Sequence, residues 1–556
     1  MKRFLFTTIA VVSVSVACRS LAAQTQRAIT AADLRQRLYL IADDSMMGRE
    51  TGSAGAFKAS AYVAAEFRRL GLEPAGDKGT YFQTVPFSVV AADPQSRLVT
   101  SSGATLQLVT DFLPVSAALP PKVLAAQTPI VFAGSVADTA HLVAAAAVLG
   151  KFVVLDVPQG FDRRAIGPLL GRFRDAATVA IVALDQLGGE QIARIREGRP
   201  VSDTSRNPRA LPLIWLTRRA AAAVLGGDLA DAIPGAPSAN TISGQYDFTR
   251  TPVRFPARNV VGILRGSDPA LRTEYVSLSA HHDHVGFDRT PVDHDSLRAF
   301  NRVVRPMGAD SPMRPATNDE RTKIRTILDS LRAVNRPRPD SIRNGADDDG
   351  SGTAAILEIA EAFARASGNQ RPRRSILFVS HTGEEAGLLG SRWYSDHATV
   401  PVDSIVGEID QDMIGRGTAS DFPRGGTGAG SPTYLEVIGA KRISREFGEM
   451  LEAANAKQPV PFVFDYTYDA PGHPLQYYCR ADHYSYARYG IPSVAFSRGE
   501  HLDYHQVTDE AQYISYPDLA RVAQMVHDGA LAVANAPQRP KRDVPKPADP
   551  HGPCVQ

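Results

Sequence analysis

The sequence predicts an α/β protein: a mainly parallel central sheet, covered by helices on both faces, with an inserted smaller lid domain. Three observations predict it. Short apolar runs rich in β-branched residues recur through the second half of the 556-residue chain, separated by helix-like segments. Between about 89 and 250 the texture changes to an Ala/Val-rich stretch almost free of histidine. Two amphipathic segments precede that stretch.

The elements follow in chain order. Met1-Lys2-Arg3 is basic, Phe4 to Ala17 is mostly apolar, and small residues follow at Ser20, Ala22 and Ala23. This pattern is a secretory signal peptide over 1–23, too short for a membrane span, cleaved near Ala22 or Ala23. Cys18 offers a lipidation alternative, but Ser15-Val16-Ala17 lacks the Leu-like residue expected three positions before such a cysteine. The segment 24–88 opens the larger domain: Leu34, Leu38 and Ile41 have helical spacing, and 56–70 is a second helix stopped by Gly71. Residues 47–52 form a polar turn between the two helices.

Within 89–250, the runs 129–135, 151–157, 179–185 and 211–217 read as strands and 216–226 as a helix. The domain resumes over 251–535. There 274–280, 374–380, 404–410 and 491–497 are apolar strand-like runs, and 351–366 is helical. Such alternation predicts a doubly covered parallel sheet. A charged insertion at 289–339, with a helix over 319–334, shows no chemistry of its own; its position between two acid-rich motifs suggests a gate. The Pro- and Lys-rich tail, 536–556, is expected to be disordered.

Composition narrows the function. Lys plus Arg is 61 and Asp plus Glu is 59, a net charge of +2. That balance excludes the strong basic excess of a nucleic-acid binder. With 44% hydrophobic and 22% charged residues the chain is an ordinary soluble globular protein, not an integral membrane protein. After signal removal two cysteines remain, Cys479 and Cys554, either paired or free; two cannot build a zinc ribbon.

Each apolar run of the second half leads into acids or histidines: His281-His282-Asp283-His284, then Glu384-Glu385, then Asp412, then Glu500-His501 and Tyr504-His505. In open α/β sheets ligands bind beyond the carboxyl ends of the strands, so these ends converge on one crevice. Imidazoles and carboxylates suit zinc, which needs about three protein ligands in a catalytic site. Here there are enough carboxylates for two metals about 3.5–4 Å apart. Taken singly, each motif has a plainer reading: a surface His–Asp pair, a turn capped by Asp349 or Ser351, or the acidic first turn of a helix.

Together the motifs resemble the co-catalytic zinc exopeptidases that include bacterial leucyl aminopeptidase, plasma glutamate carboxypeptidase and prostate-membrane glutamate carboxypeptidase. The matching stretches are SAHHDHVG (279–286), NGADDDGSG (344–352), HTGEEAGLLGS (381–391), IDQDMIG (409–415) and DYHQVTD (503–509), with 39–76 and 258–268 resembling the opening helices and the first strand of that family's catalytic sheet. The resemblance implies two zinc ions per chain. His281 and Asp412 would hold one, Glu385 and His505 the other, and Asp348 would bridge them. Glu384 would be the general base for a metal-bridging water, and Asp283 would orient His281. The Asp348-Asp349 peptide matches one that is cis in the family. Asp509 and Asp482-His483 match positions beside the metal site, and His282, His284, His381, His473, His483 and His501 are read as supporting or structural residues. The stretch 150–161 and the later 179–185 resemble a protease-associated domain, although the glycine usual before its second strand is missing at Ala176-Ala177-Thr178.

The resemblance therefore implies a secreted or periplasmic metallo-exopeptidase acting on peptides, with an aminopeptidase preferred. Glu500 is a candidate for holding a substrate ammonium. A carboxypeptidase or dipeptidase would instead use an arginine clamp from Arg480, Arg488 or Arg498. Tyr478 and Tyr504 are candidates for positioning the oxyanion. A zinc-dependent glutaminyl cyclase, or a non-catalytic binding protein of the same fold, is the alternative; the filled ligand set and the intact Glu pair weigh against both.

Overall fold

The computed structural model describes residues 25–115, 122–161, 166–203, 211–312, 314–418, 421–422 and 430–556. The signal peptide expected over 1–23, with Cys18, lies outside them.

Six strands carry the larger sheet: β1 (Ala257–Leu264), β2 (Tyr275–His281), β3 (Ser375–His381), β4 (Ile405–Gln411), β5 (Tyr434–Ile438) and β6 (Ser493–Ser497). They lie in the order β1-β3-β2-β4-β6-β5, with short strands at both edges. The central four, β3, β2, β4 and β6, are mutually parallel, whereas β1 and β5 join antiparallel. Parallel strands covered on both faces must be apolar throughout, and every residue of β2, β3 and β4 is buried.

Alternation along β3 shows how both faces are filled. Ile376 and Phe378 pack into a core shared with α1 (Ala31–Ile41), α2 (Ala54–Arg69), α3 (Gly350–Ala364) and α4 (Tyr516–Asn535), through Leu38, Phe67, Phe363 and Val526 among others. Leu377 and Val379 face the opposite core, with Tyr394 and Tyr486 from the helices Leu389–Asp396 and His483–Ala487. The helices start where the sequence supplies caps: the Thr30 side chain accepts from Asp33 N at 3.1 Å and opens α1.

The Ala/Val-rich segment builds its own eight-stranded sheet, with Lys122–Ser135, Phe152–Asp156, Thr178–Val182 and Leu213–Leu216 parallel at its centre. It has separate cores on its two faces. The chain leaves and re-enters the part built on the larger sheet through Phe87–Ala92 and Phe248–Pro252, which pair antiparallel with each other.

One expectation is extended by the structure and one needs correction. The charged insertion is more than an interruption. Phe287–Asp293 pairs with Pro339–Ile342 and encloses the helices His294–Val304 and Asn318–Arg332. It grips the loop before His505: Asn301 Nδ2 donates to Leu502 O at 3.0 Å, Ala309 N donates to Tyr504 O at 3.0 Å, and Arg298 pairs with Asp503 at 3.0 Å. The tail 536–556, expected to be disordered, instead lies along the part built on the larger sheet. Arg539 meets Glu274 at 2.7 Å, Lys546 meets Asp403 at 2.9 Å, and Cys554 is disulfide-bonded to Cys479. Proline prevents regular structure there, but acids on the domain surface and a cross-link hold the backbone without an apolar core. Among the described residues no helix is long and apolar enough to cross a membrane.

Candidate metal centre

Parallel register brings the strand ends level. His281 pairs with His381, and Ser279 stands opposite Asp410, so His281 lies level with the start of the loop carrying Asp412. Gln411 pairs with Phe496 in β6, which runs into the loop carrying Glu500 and His505. Asp348 reaches this crevice from the turn before α3. That turn is tightly built. Its Asp348-Asp349 peptide is cis. Asp349 caps α3 through Gly352 N at 2.8 Å and accepts from His281 N at 3.0 Å. Position 352 has to be glycine, because a Cβ there would meet Gln411 O at 2.0 Å. Asp509 accepts from Asp347 N at 3.0 Å and Asp348 N at 3.2 Å, which fixes the loop's approach.

Two clusters of donor atoms result, and Asp348 belongs to both. His281 Nε2 lies 3.2 Å from Asp348 Oδ1 and 3.7 Å from Asp412 Oδ1. His505 Nε2 lies 3.0 Å from Asp348 Oδ2 and 2.9 Å from Glu385 Oε2. The two oxygens of one carboxylate thus face two separate groups. His281 Nε2, Asp348 Oδ2, Glu385 Oε1, Asp412 Oδ1 and His505 Nε2 are buried with no hydrogen-bond partner among the described residues. Burying polar atoms unpaired is costly, and a cation between them removes that cost. The donor set of imidazoles and carboxylates fits zinc.

The electrostatics agree with a site built for positive charge. Burial disfavours the charged forms of His281 and His505, yet neighbouring carboxylates outweigh it. Asp283, Asp348 and Asp412 hold His281 well above the usual imidazole range, and Glu385 and Asp348 push His505 up to about 10. Glu384 stands outside both clusters, with Oε2 3.9 Å from His281 Nε2. Burial, reinforced by Glu385 and Asp412 against the pull of His281, raises its carboxyl well above the ordinary range.

Asp283 acts on more than His281. Its carboxylate is 3.7 Å from His281 Nδ1, whose closer partner is the Asp283 carbonyl at 3.1 Å. The carboxylate itself accepts from Thr51 Oγ1 at 2.8 Å and Glu384 N at 3.2 Å. It therefore aims the Glu384 backbone as well. Asp482 and His483 are buried nearby, and His501 Nε2 lies 3.2 Å from Asp347.

Two residues of the site are not apparent from the sequence. His284 Nδ1 lies 2.7 Å from Glu385 Oε1 and belongs to the second cluster, where the sequence reading gave it only a supporting role. Strict strand alternation would turn it away from His281, but β2 ends at His281 and residue 284 bridges to Glu50 instead. Arg49, in the turn read as polar, is fully buried. It donates to Ile41 O and His282 O at 2.9 Å each, to Asn344 O at 2.5 Å and to Gly345 O at 2.8 Å. It ties together the two segments that present His281 and Asp348.

A cavity adjoins Asp348, Glu384 and Asp412; Tyr504, Tyr477, Arg480 and Glu500 line it. Tyr478 is not in its wall and packs against His483 and Arg442. Arg488 is committed to Asp396 and Ser395, and Arg498 to the carbonyls of Arg416, Tyr434 and Ser431. Of the three candidate clamp arginines, only Arg480 reaches the cavity.

Residues 259–530 match the sequence profile of Peptidase family M28. A probable zinc metalloprotease of Pyricularia oryzae is 28% identical over 219 residues, covering 35% of this chain and 43% of that protein. Leucine aminopeptidase 1 of Penicillium rubens is 31% identical over 199 residues, covering 35% and 48%. The chain thus spans about half the length of the curated relatives it matches. An aminopeptidase structure from Aneurinibacillus sp. aligns over 93% of this chain and 96% of its own, at 16% identity and a TM-score of 0.48.

Proposed function

We propose that the protein, whose residues 259–530 match the profile of Peptidase family M28, is a di-zinc exopeptidase that works outside the cytoplasm and removes residues from peptide N-termini. The observation that carries this reading is the division of the Asp348 carboxylate between two donor clusters. His281 and Asp412 would hold one ion, Glu385 and His505 the other, with His284 within reach of the second. Two zinc ions so held would supply Lewis acidity to the attacking water and the scissile carbonyl. Glu384 takes the proton from that water and delivers it to the leaving amine nitrogen. Its place outside both clusters, 3.9 Å from His281 Nε2, supports that role. Asp283 keeps Glu384 aimed through the backbone N–H it accepts from. The Cys479–Cys554 disulfide favours an oxidising compartment.

A carboxypeptidase would need a free cationic clamp at the cavity. Arg480 is already engaged by Asp310 at 2.8 Å and Glu500 at 3.4 Å, which favours the aminopeptidase. The test is hydrolysis of matched tripeptides with free and with acetylated N-termini by the zinc-loaded protein. Cleavage of the free peptides alone is expected. Release of C-terminal residues from the acetylated ones would reassign the direction of attack.

A further inference from the structure

The cavity beside the metal centre has a composition that the hydrolytic chemistry does not explain. Met413, Ile438, Ala481, Ala495 and Phe496 give it apolar walls. Two acids interrupt these walls. Glu436 lies on β5 between Leu435 and Val437, both of which pack into the main core, so alternation turns Glu436 to the cavity side with Ile438. It is 3% exposed. Its Oε1 accepts from the Tyr434 hydroxyl at 2.9 Å, and that hydroxyl is equally close to Asp465. No cation among the described residues contributes to its electrostatic environment. The Glu500 side chain is 8% exposed, and its Oε2 has no hydrogen-bond partner among the described residues. Arg480 must serve Asp310 as well as Glu500, and its other nitrogen leans toward the Tyr504 hydroxyl at 3.4 Å.

A chain with no use for a cation here would place leucine or methionine on β5, because a buried carboxylate with no counter-charge destabilises the fold. Burial accordingly pushes Glu436 up to about 7 and Glu500 up to about 8. An apolar cavity with an uncompensated carboxylate in its wall matches a side chain with a methylene stem and a cationic head.

Resting on the aminopeptidase reading above, we propose that this cavity receives the side chain of the substrate's N-terminal residue and selects lysine or arginine, with Glu436 as the specificity-determining residue and charge partner. Glu500, nearer in sequence to His505, adds negative potential at the same cavity.

The test compares lysyl-, arginyl-, norleucyl- and glutamyl-p-nitroanilide as substrates of the full-length zinc-loaded protein. Lysine and norleucine share the stem and the α-ammonium and differ only at the end of the side chain. The wild type should show kcat/KM for lysyl and arginyl substrates at least about tenfold above norleucyl, with glutamyl the poorest. In Glu436→Gln the lysyl-to-norleucyl ratio should fall by at least about tenfold, and norleucyl turnover reports that the variant is folded. Should that variant be insoluble, Glu500→Gln should lower the same ratio, by a smaller factor. Norleucyl equal to or better than lysyl in the wild type would overturn the proposal, as would a ratio unmoved in both variants. A glutamyl preference would transfer the selectivity to Arg480 and also overturn it. Hydrolysis of none of the four would count against the aminopeptidase reading itself.

Discussion

Replacing Arg49 by methionine keeps an apolar stem of similar length and removes every donor. Four buried carbonyls, those of Ile41, His282, Asn344 and Gly345, then lose their partner. A buried carbonyl left without a donor costs about 1–3 kcal/mol. The variant no longer has to bury a guanidinium with no carboxylate in contact, which offsets part of that cost. The net destabilisation is about 3–6 kcal/mol, a large share of the 5–15 kcal/mol typical of a folded domain. Three of these carbonyls, those of His282, Asn344 and Gly345, lie in the segments that present His281 and Asp348, so zinc affinity should weaken as well, by at least about tenfold. Urea unfolding of wild type and Arg49→Met, each with and without zinc, measures the first effect, and competition with a chelator measures the second. Arg49→Lys, with one donor group in place of a fork, should fall between them. A Met variant within about 1 kcal/mol of wild type and with unchanged zinc affinity would refute the role given to Arg49.

Two further outcomes follow from other parts of the structure. Glu510 is pushed up to about 8, first by burial and then by Asp340, so the folded state binds its proton more tightly than the unfolded chain. The stability it contributes is complete below the ordinary glutamate pKa and is lost as pH rises through about 8; the melting temperature of the metal-free protein should therefore fall between pH 5 and pH 8, and Glu510→Gln should flatten that slope, whereas an unchanged slope counts against it. Cys554→Ser should lower stability by about 2–4 kcal/mol in chemical denaturation and expose the tail to limited proteolysis, and a tail that stays protected would show that its salt links suffice alone.

The sheet and most of the candidate centre were legible because the chemistry sits at a predictable place. Each of β2, β3, β4 and β6 is an apolar run long enough to be recognised, and His281, Glu385, Asp412 and His505 lie on or just beyond the ends of such runs. Asp348 was legible from the company it keeps in a turn of acids and glycines before a helix. The residues that escaped depend on long-range geometry. Arg49 looks like any exposed arginine in a polar turn, and only the approach of segments more than 200 positions away buries it. His284 lies past the end of a strand, where alternation stops predicting direction. The tail composition suggests disorder because it lacks apolar residues, and nothing local reveals that Cys554 finds Cys479. Glu436 sits in a strand of otherwise apolar and aromatic residues, and its importance emerges only when the cavity above it is seen.

The central claim is two metal ions served by a separate base, and one preparation tests it. Zinc per chain and hydrolysis of a free dipeptide should be measured on wild type beside Glu384→Gln. Two zincs in both proteins are expected, with activity lower by about 10²–10⁴-fold in the variant. One zinc or none in an active wild type, or a variant that keeps both its metal and its rate, would contradict it.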